Sequence, residues 1–134
     1  MLRRTLPAWT IPDDVEAVVA AEGFWESDHW DPIMLSVEGD TVCEGRPIPF
    51  QWQIEFVPYG PEFEEANQRL DDGSGVKPDA YSWGDAVRNA IKAAAPQVFA
   101  EVHDDSEQAA CVLWVESEAA CRVLIETAWE MIYR

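Results

Sequence analysis

Hydrophobic and polar positions alternate most regularly in the stretch FQWQIEF. Phe50, Trp52, Ile54 and Phe56 take every second position, with Gln51, Gln53 and Glu55 between them. A period of two puts the four large apolar groups on one face of a sheet and the polar groups on the other. An antiparallel sheet with one wet face is therefore expected. Pro47 and Pro49, just upstream, suit an entering edge segment better than a central strand. Residues 33–37 (IMLSV) read as a further strand, and Glu38-Gly39-Asp40 offers a hairpin turn into Thr41-Val42-Cys43. After Pro12-Asp13-Asp14, the run VEAVVAAE fits a short helix with acids in its first turn. Its valines fit a strand nearly as well, so residues 13–22 stay open between the two.

The pattern then turns helical. Residues 61–70 (PEFEEANQRL) begin with proline and acids, as a helix start does, and end in the loop Asp71-Asp72-Gly73-Ser74-Gly75. Ser82-Trp83-Gly84-Asp85 looks like a capped start. Ala86, Val87, Ala90, Ile91 and Ala94 then form an apolar stripe that Pro96 stops. Residues 97–103 and 108–116 read as two strands around Asp104-Asp105-Ser106. Ser117 caps a last helix, on which Glu118, Arg122, Glu126, Glu130 and Arg134 recur every four residues as one charged stripe. The remainder of that helix, including Val123, Leu124, Ala128, Trp129 and Ile132, is apolar, which predicts burial against the sheet. The expectation is an α+β fold in a single domain over residues 1–134, an antiparallel sheet packed with two to four helices and ending in a helix–hairpin–helix.

Charge changes the picture more than composition does. The chain has 134 residues, 48% of them apolar, enough for a core of its own. It carries 26 acidic residues against nine Lys+Arg. The imbalance is concentrated between Asp13 and Asp72. Such a field repels phosphate backbones, which argues against a nucleic-acid partner. It speeds encounter with a basic protein, and it also serves solubility alone. The start MLRRTLPAWTIP lacks the apolar run of a signal peptide, and no stretch is apolar enough to span a bilayer. Cys43, Cys111 and Cys121 are odd in number and lack C-x-x-C spacing, which argues against a disulfide framework or zinc site and for the cytoplasm. Cys111 and Cys121 sit among apolar neighbours, as small core residues do.

The candidate chemistry is sparse. No glycine-rich phosphate loop, G-x-S-x-G or H-E-x-x-H motif occurs, and Gly73-Ser74-Gly75 has no lysine or preceding strand to make it one. A cysteine–histidine nucleophile from Cys43 with His29 or His103 is disfavoured by Glu44 beside the thiol. One enzyme alternative survives: His29 with Asp28 and Asp31, and His103 with Asp104 and Asp105, as ligands of a hydrolytic metal ion. The same segment, GFWESDHWDP, reads better as a protein-facing patch. Tryptophan supplies large contact area for few rotatable bonds, and the surrounding carboxylates pair with Arg and Lys of a partner. Trp25, Glu26, Asp28, Trp30 and Asp31, with Asp71 and Asp72 in the loop, are the expected contacts. No cofactor, no metal and no enzymatic activity are expected; an acidic adaptor is a further binding alternative.

The run FEEANQRLDDGSGVKPDAYSWGDAVRNAIKAAAP, followed by a hairpin with acids at its turn and a capped helix, resembles the immunity protein 51 family of bacterial polymorphic toxin systems. The resemblance covers about residues 62–132. Its counterpart to the family's aromatic pair is Ala80-Tyr81-Ser82-Trp83, preceded by Gly73 and Gly75. Here Ala80 replaces a glycine, and Ser82 replaces an aspartate, keeping a capping oxygen but losing the charge. The aromatics Tyr81 and Trp83 read as pins between helix start and sheet. The resemblance implies a cytoplasmic bacterial protein that neutralises a cognate toxin stoichiometrically. A nuclease toxin with a basic cleft is the partner its charge suits.

Overall fold

The computed structural model describes residues 4–71, 73 and 77–134. Its centre is β3 (Arg46–Phe56), flanked by β2 (Met34–Cys43) and β5 (Cys111–Val115). Two short strands, β1 (Phe24–Ser27) and β4 (His103–Asp104), form the edges, giving the order β1-β2-β3-β5-β4. Every neighbouring pair is antiparallel. The period-two pattern of β3 behaves as its chemistry dictates. Ile48, Trp52, Ile54 and Phe56 are buried, and Glu55 is exposed. Register extends that apolar face sideways: Val37 and Val115 lie opposite Trp52, and Leu35 and Leu113 opposite Ile54. β3 is central in the sheet, not an edge strand. Its pairing with β5, however, covers only Trp52–Phe56. Pro47 and Pro49 sit in the half that β5 does not reach, where the strand is locally on the ladder's edge and proline is tolerated.

Among the described residues, five α-helices pack on the apolar face: α1 (Val15–Glu22), α2 (Glu64–Leu70), α3 (Ala80–Ala94), the single turn α4 (Pro96–Phe99) and α5 (Glu118–Tyr133). That exceeds the two to four expected. Val15 and Val19 settle the open question at residues 13–22 in favour of a helix, because both reach the core from one side of α1. Gly23 ends α1 in the left-handed conformation, its N–H donating to the Val19 carbonyl at 2.7 Å. α5 buries Leu124, Ile125, Ala128, Trp129 and Ile132 and exposes its charged stripe. The Ser117 hydroxyl accepts from the Ala120 N–H at 3.2 Å, as its cap position requires. The whole is α+β, one antiparallel sheet with a helical layer. No helix among the described residues is long and apolar enough to cross a membrane.

Three expectations need correction. Glu38-Gly39-Asp40 is not a turn; β2 runs through it to Cys43. Gly39 is there because Val19 of α1 lies against it, and a Cβ would come within 2.9 Å of the valine methyl. The reversal falls at Glu44-Gly45, both with positive φ (52° and 80°), between the paired Cys43 and Arg46. That is a two-residue hairpin loop whose twist matches the strands. Secondly, α3 starts before Ser82. Its cap is Asp79, whose carboxylate accepts from the Ser82 N–H at 2.8 Å and the Ser82 hydroxyl at 3.0 Å. These bonds hold the Asp79 carboxyl below the usual range. Thirdly, residues 97–103 are not a strand: Pro96 opens a new helical turn that runs to Phe99, a turn follows at Ala100 and Glu101, and only His103 is in a strand. The C-terminal hairpin shrinks to a two-residue pairing of β4 with β5.

Candidate interaction surface

The ten residues of GFWESDHWDP are divided between structure and surface. Phe24 to Ser27 form β1, and a tight turn follows, with the Asp31 N–H donating to the Asp28 carbonyl at 2.9 Å. Trp30 is completely buried. Its ring lies 5.1 Å from that of Trp9 and meets His29 edge-on at 4.7 Å, and its indole N–H donates to the Pro7 carbonyl at 3.2 Å. A His29 ring nitrogen lies 3.0 Å from the Ala8 carbonyl oxygen. The aromatic cluster is therefore a clamp on the N-terminal strap, residues 4–12, and Trp30 offers a partner no surface. Trp25, half-buried, lies opposite Val37 and packs against the core. Glu26, Asp28 and Asp31 are exposed.

Asp71 is exposed just after α2, its carboxylate accepting from the Gly73 N–H at 2.8 Å. Asp72 lies outside the described residues. α2 is tied to the last turn of α5, where Arg69 donates to the Met131 carbonyl at 2.8 Å. The Trp30 clamp borders Arg122 and Ile125 in the first half of that helix. From Arg122 to Met131 is about 14 Å along a helix axis. The expected contacts thus form two separated groups. The histidines are further apart in the fold. His29 follows β1 and His103 lies in β4, at opposite edges of a sheet whose five strands span about 19 Å. They cannot share one metal ion. His103 instead stacks on Trp114 at 3.9 Å, and Asp105 accepts the Trp114 indole N–H at 2.8 Å.

The second face of the sheet emerges from register alone. Phe24, Glu38 and Gln51 form one row across it, Glu26, Ser36, Gln53, Trp114 and His103 the next, and Met34, Glu55 and Val112 a third. Their side chains point away from the helical layer. The half at β5 and β4 is closed by the Trp114–His103 stack, which leaves Trp114 only 3% exposed. The half formed by β1, β2 and β3 has no such cover: Phe24 is 52% exposed and Met34 38%. From residue 24 to 56 the chain holds the carboxylates Glu26, Asp28, Asp31, Glu38, Asp40, Glu44 and Glu55, all exposed. The single Lys or Arg in that stretch is Arg46. It is engaged by Glu116 through two parallel bonds of 2.8 Å, which hold the Glu116 carboxyl below its ordinary value. Sequence reading could not reach this face, because which side of β1 shares a face with which side of β3 depends on a register no local pattern specifies.

No family model matches this chain, and no curated protein and no solved structure is similar to it.

Proposed function

We propose that this chain is an immunity protein that binds and neutralises a cognate bacterial toxin stoichiometrically, acting in the cytoplasm. The observation that carries this reading is the acidic stretch from residue 24 to 56, whose carboxylates are exposed and whose one cation is already held by Glu116. A surface of this kind repels polyanions and attracts a basic cleft. Occupying such a cleft blocks substrate without any chemistry in the inhibitor. A phosphate-binding toxin, such as a nuclease, is the partner class this favours. The likeness of residues 62–132 to the immunity protein 51 pattern supports the same reading.

The test is affinity capture from lysate of the source cells at low and high salt, followed by growth assays on whatever is retained. A basic protein held near one-to-one, partly released by salt, and toxic unless this chain is co-expressed, is the expected result. A partner whose toxicity is unaffected by co-expression would leave a binding protein but end the immunity reading.

A further inference from the structure

Building on that reading, we propose that the partner docks on the uncovered half of the sheet, the outer face of β1, β2 and β3, and not on the loop of Asp28 and Asp31. The occupant is a basic protein surface with apolar groups at its two ends. Phe24 and Met34 mark opposite ends of the face, with Glu26 and Ser36 between them and Glu38 and Glu55 beside them on the neighbouring strands. Gln51 and Gln53 fill the β3 row, and the amide of Gln51 donates to the Gln53 side-chain oxygen at 3.2 Å. Exposed apolar groups, neutral amides and carboxylates thus interleave on one rigid platform. A partner interface needs these three components for area, hydrogen bonding and orientation.

Charge decides the sign of the occupant. Among the described residues, every Lys and Arg other than Arg46 belongs to the strap or the helices or is Lys77 or Arg134, so the strands β1 to β3 present carboxylates to a partner with almost no compensation. A second copy of this chain would bring the same charge to the same face and is disfavoured by repulsion. The β2–β3 hairpin is about 34 Å long and the three strands are about 14 Å across, so the face supplies roughly 500 Å², the centre of an interface to which each partner contributes ~800 Å². Backbone rigidity adds to this, since β2 is bonded on both flanks and little ordering remains to be done on association.

The surface can be tested without the natural partner. The probe is a synthetic decapeptide of alternating lysine and valine, titrated at low salt into the full chain labelled with ¹⁵N. Amide shifts should map to residues 24–26, 34–38 and 51–55. The double variant Glu38→Gln/Glu55→Gln should weaken binding about fivefold to tenfold, as two lost charge pairs predict, while Asp28→Asn/Asp31→Asn changes it less than twofold. Circular dichroism on both variants guards against loss of fold. Shifts confined to residues 28–31, to Asp71 or to the charged stripe of α5 would overturn the sheet face and leave the acidic-binder reading standing. Absence of any shift would overturn the sheet face as well, and partner capture would then judge the immunity reading by itself.

Discussion

At the scale of single residues, the thiols show how burial sets chemistry. Cys111 and Cys121 are fully buried, and Cys43 is half-exposed. Burial, slightly offset by a bond with Ser106, pushes the Cys111 thiol up to about 12, and burial raises Cys121 too. Tyr133 moves the same way, first through burial and then because its hydroxyl donates to the Glu62 carboxylate. All three are held protonated in the folded chain. The contribution of Cys111 to stability is complete below the unfolded thiol value, 9.0, and is lost as pH rises through about 12; Cys121 and Tyr133 act in the same direction. The urea midpoint is therefore expected to fall progressively above pH 9. At pH 8, a thiol-reactive dye should label Cys43 alone in the native chain and reach the other two only on unfolding. Native labelling of Cys121 would contradict its burial. The apolar neighbours of Cys111 and Cys121 made this placement legible in the sequence. Trp30 was not legible, because nothing near Asp28 or Asp31 announces that residues 7–9 will cover it.

At the scale of elements, legibility follows how local the deciding interaction is. The alternation of β3, the Ser117 cap and the stop at Pro96 rest on neighbours in sequence, and each is where its pattern predicted. Gly39 looked like a turn because Gly beside Asp has turn chemistry. Its real constraint is α1, twenty residues upstream, an approach no local pattern records. The strap is another long-range element. Beyond the Trp30 clamp, the Trp9 indole N–H donates to Glu118 at 2.9 Å, and the Arg4 guanidinium lies over the Trp129 and Tyr133 rings at 5.1 and 5.0 Å. Deleting residues 1–10 would uncover Trp30 and part of α5. It should cost about 2 kcal/mol or more from exposed apolar area, lowering Tm by roughly 6–10 °C, with a red shift of tryptophan emission. An unchanged Tm would mean that the strap rests on the core without stabilising it.

At the scale of the molecule, the formal charge of −17 is carried by exposed carboxylates and opposed by few exposed cations. Among the described residues, the ion pairs Arg4–Glu62, Arg46–Glu116 and Arg122–Glu126 lie at or near the surface and contribute little each. Self-repulsion among the remaining acids outweighs them, so sodium chloride should raise Tm as it screens the field. A decrease between low salt and about 0.5 M, where screening is nearly complete, would show instead that the ion pairs dominate. The same screening weakens docking to a basic partner, so stability and affinity are expected to move in opposite directions with salt.

The contact of Arg4 with α5 has a topological consequence. The indole N–H of Trp129 donates to the Arg4 carbonyl at 3.0 Å, and the Arg4 guanidinium donates to the Tyr133 hydroxyl at 2.9 Å. The first and last described parts of the chain therefore meet, and the path through the fold is close to a closed ring. Under a mechanical pull applied at these two points, the strap would peel from α5 before any strand of the sheet bore load, so the outermost joint would act as a fuse for the platform behind it.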